Sequence, residues 1–311
     1  MEEVTSRRHW KKFYLNVFIL TLYFLLLAFV TTFLYKEALT VAGEIFIILI
    51  SSCLVIMAVY TIIRYFKNIP KFHVNTNSIK FTRKNALFWK DLERVQLSGK
   101  QPFSFMLDYP REGMMLKFKG SREIYLYDDM YANTAAVKQF ITRHILNKSY
   151  KPSIITKANK LPLNNEQFVW YEGRQLLNFR GAVLWLVLGL LLYAIITASH
   201  VSLMVFLFGV GVVCFWAFSA FMYCFGTSDD CIMVRNPNLF WAKTKYRLTD
   251  IQEVVFEQQH SKMPYSLRII TNDFKSDLYM AGTLSGRKWR QLQKDLEGKY
   301  IKVRNELYFD I

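Results

Sequence analysis

The chain has 311 residues, 52% hydrophobic and 16% aromatic, with a formal net charge of +16. It is too apolar for an ordinary soluble domain and too charged for a bare membrane bundle, so membrane and extramembrane parts are both expected. Cys53, Cys214, Cys224 and Cys231 form no CxxC pair; neither a disulfide framework nor a zinc site follows, and they read as small apolar packing residues.

In chain order, Arg7, Arg8, Lys11 and Lys12 come first, with the rings of Trp10, Phe13 and Tyr14. Residues 14 to 34 and 45 to 63 then contain no Asp, Glu, Lys or Arg. Each run is about 20 residues, the length a helix rising about 1.5 Å per residue needs to cross a hydrocarbon core of about 30 Å. The first run is too long for a signal-peptide h-region and no small-x-small cleavage site follows, so an uncleaved anchor is expected. The short connection predicts an antiparallel hairpin. Lys36, Glu37 and Glu44 give that connection a net −1, whereas Arg64, Lys67 and Lys71 follow the second run beside Tyr65 and Phe66. The rings of Trp10, Phe13, Tyr14, Tyr65, Phe66, Trp170 and Tyr171 are expected at the membrane interface, which amphipathic rings favour.

Beyond the hairpin, strands are expected over Ser78 to Thr82, Phe88 to Leu97, Met114 to Phe118 and Glu123 to Tyr127. A helix is expected from about Asn133 to Leu146, with Val137, Phe140, Ile141, His144 and Ile145 at helical spacing. Residues 147 to 178 read as a polar connector with an interfacial helix, ending at Trp170 and Tyr171. Runs 181 to 199 and 203 to 225 are again free of charged residues and predict a second spanning hairpin. Strands over Cys231 to Arg235, Tyr246 to Glu257, Ser266 to Thr271 and Lys275 to Met280 follow, then a helix from about Leu284 to Tyr300.

The order is therefore stated twice. Trp89-Lys90-Asp91-Leu92 matches Leu248-Thr249-Asp250-Ile251, and Leu116-Lys117-Phe118 matches Leu267-Arg268-Ile269. Leu87-Phe88-Trp89 also matches Leu239-Phe240-Trp241; the Asp-centred alignment is preferred because the apolar alternation continues past it. The expected organisation is a basic segment and hairpin over 1–71, a mixed domain over 72–149, a linker over 150–178, a second hairpin over 179–226 and a second mixed domain over 227–311.

A small antiparallel sheet closed by a terminal helix, marked by the hydrophobic-polar-Asp-hydrophobic pattern at Asp91 and Asp250, resembles bacterial pleckstrin-homology-like (PH-like) membrane proteins. The resemblance implies four transmembrane helices in two hairpins plus two α+β PH-like cytoplasmic domains, arranged as an internal tandem repeat. It further implies a non-enzymatic inner-membrane protein. In lipid-reading members the first hairpin presents cations, and Lys80, Arg83 and Lys84 stand in that place here. The second copy departs, with Arg235 as its main cation and Pro237 in the turn.

The bias of Lys and Arg places both chain ends and both domains in the cytoplasm. Removing the −1 of the first connection leaves +17 on that face. Arg7, Arg8, Lys11, Lys12, Arg64, Lys67, Lys71, Lys80, Arg83 and Lys84 are the candidate contacts to anionic lipid head groups, at about 1 kcal/mol each near the surface. The same cations would also orient the helices. Gly189, Gly209 and Gly211 are candidate helix-packing positions, and a homo-oligomer or protein partner is left open. No aromatic-interleaved basic run points to nucleic acid.

The five histidines are scattered, no catalytic fingerprint is present, and Asp128-Asp129 and Asp229-Asp230 read as turn or capping residues rather than metal ligands. No cofactor and no catalytic residue are expected. The leading expectation is a non-catalytic inner-membrane protein docking on anionic lipid or a protein partner, with a scaffold, regulatory or immunity-type role. The alternative is a lipid-handling enzyme or transporter using a cavity between the hairpins.

Overall fold

A computed structural model describes residues 3–34, 41–82, 85–103, 110–146, 167–173, 178–197, 201–239, 241–259 and 263–307. The chain divides into two units, Met1–Ser149 and Tyr150–Ile311.

The first unit opens with strand β1 (Val4–Thr5), and a π-helical turn over Trp10–Leu15 leads into α1 (Asn16–Leu34). Helix α2 (Val41–Asn68) returns to β2 (Phe72–Val74), which pairs antiparallel with β1 in the register Val4 to Val74 and Thr5 to His73. Strands β3 (Ser78–Phe81) and β4 (Ala86–Phe88) complete a four-stranded sheet. A 3-10 turn at Trp89–Asp91 starts the second sheet, made of β5 (Leu92–Gln96), β6 (Lys100–Gln101), β7 (Arg111–Phe118) and β8 (Ile124–Tyr127). Helix α3 (Thr134–Phe140), continued by a π-helical turn over Ile141–Ile145, follows.

The second unit begins with β9 (Val169–Tyr171), then α4 (Phe179–Thr197) and α5 (Val201–Ser219). Strands β10 (Cys224–Thr227), β11 (Cys231–Arg235) and β12 (Lys243–Arg247) pair with β9 in the order β12-β11-β10-β9. After a 3-10 turn at Leu248–Asp250 come β13 (Ile251–Gln258), β14 (Tyr265–Thr271), β15 (Ser276–Met280), α6 (Gly286–Gly298) and β16 (Val303–Glu306), which runs parallel to β13.

The two units share local geometry around Asp91 and Asp250. The ladder slips between Leu92 and Arg94 in β5 and between Ile251 and Glu253 in β13, each just after its 3-10 turn. The carbonyl of Asp91 accepts from the Lys119 amide at 2.8 Å, and that of Asp250 from the Asn272 amide at 2.9 Å. A bulge of this kind adds twist and re-aims the strand, which lets one chain leave the first sheet and enter the second.

Two findings overturn the expectation of four spans and two PH-like domains. Among the described residues only two helices are long and apolar enough to cross a membrane, Trp10–Thr32 and Ala42–Asn68. Among the described residues the apolar segments of the second pair, Gly181–Thr197 and Leu207–Ser219, fall short of that test. Each unit, moreover, holds two four-stranded sheets, and the first sheet begins before the helical hairpin rather than after it. The charge-free run 203 to 225 is part helix and part strand: α5 ends at Ser219, and Cys224 and Phe225 are uncharged because β10 buries them. An apolar run reports burial without its period, so it does not distinguish a span from a helix followed by a core strand. Trp170 and Tyr171, expected at a membrane interface, likewise belong to β9, where Tyr171 is buried. The interfacial helix expected over the connector falls largely on 147–166, outside the described residues.

Each unit has its own core. In the first, Phe72, Ile79, Phe81, Leu116, Phe118 and Val137 pack with Phe13, Tyr65 and Ile69 from the roots of the helices. In the second, Trp289 of α6 is fully buried against Phe225 and Phe256, both at 5.6 Å between ring centroids.

Candidate membrane-facing site at the root of the first hairpin

The roots of α1 and α2 are locked to the sheets by rings and cations. Phe13 lies 5.3 Å from Phe66 and 6.2 Å from Tyr65, and Tyr65 continues to Phe103 at 5.8 Å, which meets Tyr127 at 5.2 Å. The Arg8 guanidinium stands 5.0 Å from the Phe13 centroid and 4.6 Å from that of Phe66, while its Nε donates to the Ile69 carbonyl at 2.8 Å. Cation–π contacts of this kind contribute about 0.5–1 kcal/mol when exposed and about 2 when desolvated. Tyr131 donates its hydroxyl to the Pro70 carbonyl at 2.6 Å, and burial pushes its ionisation well above the usual phenol range.

The acidic pair at the end of β8 divides its work. Asp129 accepts from Lys12 Nζ at 2.7 Å, tying the π-helical turn to the sheet. Asp128 pairs with Lys138 of α3 at 2.7 Å, and both side chains are almost wholly buried. Ahead of the helix, His9 caps the turn: its Nδ1 accepts from the Lys12 amide at 3.2 Å. Burial, Lys12 and Lys11 hold His9 below the usual imidazole range, against the pull of Asp129.

These contacts separate the ten candidate cations. Arg8 and Lys12 are engaged in holding the root, and Arg64 is half-buried at the last turns of α2. Arg7, Lys11, Lys67, Lys71 and Lys80 keep their side chains exposed. Arg7 is positioned by its backbone, whose amide donates to Asn133 Oδ1 at 2.9 Å. Lys71 lies between the helix and β2, and its carbonyl accepts from the Thr82 amide at 2.9 Å, which brings the β3–β4 turn to the root. Lys80 lies across the ladder from His73, whose ring meets Thr5 Oγ1 at 3.0 Å and Glu3 at 3.2 Å. Arg83 and Lys84 lie outside the described residues. The five exposed cations thus belong to the helix roots and to the outer face of the sheet they carry. Trp10 is exposed at the same level, whereas Phe13 and Tyr65, expected at the interface, are core residues.

The remaining candidates are less gathered. A Cβ at Gly189 or Gly209 would meet nothing within 4 Å, and one at Gly211 would sit 3.8 Å from Leu191. Gly211 lines an apolar groove of about 280 Å³ between α4 and α5. In the first hairpin Thr31 Oγ1 of α1 meets Ser51 Oγ of α2 at 2.7 Å. The four cysteines are thiols, Cys224 and Cys231 buried in strands. Arg235 of β11 is stacked 3.8 Å above the ring of Trp170 in β9 and paired with Glu172 just beyond that strand, a link that sequence reasoning missed because the charged partners are 63 residues apart.

No protein-family model matches the sequence, and no curated protein matches it.

Two outcomes follow from the root. Asp128→Ala strands the buried Lys138 ammonium and is expected to cost about 3–5 kcal/mol, whereas Asp128→Leu with Lys138→Met is near neutral; thermal unfolding of the full chain in detergent measures both. Because the folded pKa of His9 lies below its unfolded value of 6.5, its contribution is complete above pH 6.5 and declines as pH falls through the folded value. The melting temperature should therefore drop on acidification, and His9→Asn, which retains a capping oxygen without a titration, should flatten that part of the drop.

Proposed function

We propose that this protein is a non-catalytic, multi-pass component of the plasma (inner) membrane, anchored by α1 and α2 with both chain ends in the cytoplasm. The sheets of its first unit hold a basic collar against anionic phospholipid head groups. One observation carries the reading. Arg7, Lys11, Lys67, Lys71 and Lys80 remain exposed beside the roots of two membrane-length apolar helices, while the neighbouring Arg8 and Lys12 are consumed by structural contacts. Positive charge on one side of a hairpin orients it toward the cytoplasm, and the connection between the helices carries Lys36 against Glu37 and Glu44. Each cation near an anionic surface contributes about 1 kcal/mol, a sum that salt screens within about 10 Å at 0.1 M. The rigid root allows the collar to act as a scaffold, fixing the distance of the sheets from the bilayer.

The full chain in mild detergent should gain more thermal stability from added phosphatidylglycerol than from phosphatidylcholine. The difference should shrink between low and high salt, and in a variant with Lys11, Lys67, Lys71 and Lys80 changed to Gln. Equal stabilisation by both lipids would remove the collar's role. For orientation, Lys80→Cys in a background with the native cysteines replaced should react with an impermeant maleimide only from the cytoplasmic side; labelling from outside would reverse the topology.

A further inference from the structure

Helix α6 carries its charges in the direction its own dipole disfavours. Its first turn holds Arg287 and Lys288, with Arg290 next and no acidic residue, while its last turn holds Asp295 and Glu297 and no basic one. The positive end of a helix dipole lies at its amino terminus, so cations there are opposed and anions at the far end likewise. Packing does not require them: Trp289, Leu292 and Leu296 form the buried face, and Arg287, Arg290 and Lys294 are exposed opposite it. Lys288 has a structural partner, the Glu172 carbonyl at 2.6 Å. Arg287 thus stands against the local preference of the helix, and Arg290 extends the same exposed positive face.

Their position explains what they face. The segment leading into α6 is hydrogen-bonded to the roots of the second apolar pair: the Gly282 amide donates to the Phe221 carbonyl at 2.7 Å, and Asn178 Nδ2 to the Thr283 carbonyl at 3.4 Å. The β11–β12 turn reaches the same level, where Asn236 Nδ2 donates to the Ser219 carbonyl at 2.6 Å. That turn, which carries Trp241, 66% exposed, and leads to the exposed Lys243, is held at the end of α5, whose last turn carries Trp216, 61% exposed. Beyond the rim, Leu186, Leu190, Val212 and Val213 leave large apolar surfaces uncovered on α4 and α5.

We propose that the rim made by Arg287, Arg290, Lys243, Trp216 and Trp241 docks on the headgroup layer of an anionic bilayer. It rests on the reading of the chain as membrane-anchored and extends it to the second unit. A soluble polyanion would match the cations alone. A bilayer surface matches both halves of the border, because phosphates meet the guanidinium groups while indole rings and aliphatic side chains enter the interface below them. Freed of that partner, Arg287 only opposes the helix dipole.

The test uses the full chain in nanodiscs of phosphatidylcholine, with and without phosphatidylglycerol. Backbone hydrogen exchange over residues 286–292 is expected to be roughly five-fold slower with the anionic lipid at low salt. Arg287→Gln with Arg290→Gln should raise the melting temperature in neutral nanodiscs and lose or reverse that gain in anionic ones. Exchange that ignores lipid charge, together with the same shift of melting temperature in both discs, overturns the proposal. Substituting Lys11, Lys67 and Lys71 by Gln reports on the first unit separately. A lipid-charge effect there without one at α6 leaves the collar standing and this proposal refuted; no effect at either site refutes both.

Discussion

The pairing of β1 with β2 across the whole of the first helical hairpin is the constraint from which the first unit follows. Two strands that share a ladder must start from neighbouring points, so the chain leaving β1 and the chain returning from α2 are obliged to meet at one root. A two-residue strand such as Val4–Thr5 cannot hold that root by its ladder alone. The work passes to side chains: Arg8 over the Phe13 and Phe66 rings, Lys12 on Asp129, Ser6 Oγ accepting from the Phe72 amide at 2.7 Å, and Asn133 bridging the Arg7 amide and the Thr5 carbonyl. Helices that project from such a knot inherit its orientation.

The second unit solves the same problem with different chemistry. Strand β9 precedes α4 and pairs with β10 after α5, and here Trp170 lies over Gly226 while Arg235 stacks on the indole. A Cβ at Gly226 would fall 3.0 Å from the Trp170 ring, so any larger residue there would press on the indole. The far end of the sheet is closed by tyrosines: Tyr246 donates to Asp277 at 2.8 Å and shares a 2.5 Å contact with the Tyr279 hydroxyl. Burial, reinforced by Asp277, pushes Tyr279 up to about 12 and Tyr246 higher still, so both remain donors. The first sheets of the two units share their strand order, while the contacts that lock them differ.

Charge is used twice in this protein, and burial separates the uses. Lys138 with Asp128, and Arg268 with Glu257, are buried pairs in which each ion is satisfied locally; losing one partner would leave an isolated charge out of water. Arg7, Lys11, Lys67, Lys71 and Lys80 are exposed, where ion pairs contribute little and long-range attraction to a charged surface is the larger effect.

The sequence by itself determined the two membrane-length helices, because their apolar runs are long and unbroken, and it suggested the Asp91 and Asp250 correspondence from the apolar alternation that follows each; the 3-10 turn and bulge there were not legible in it. Only the tertiary structure decided that residues 220–225 complete a turn and a core strand rather than a span. Apolarity records burial and is indifferent to whether lipid or protein supplies it. The structure likewise decided which cations are consumed: Arg8 and Lys11 are equivalent as letters, and only rings and carbonyls brought from more than 50 residues away make one structural and leave the other facing out.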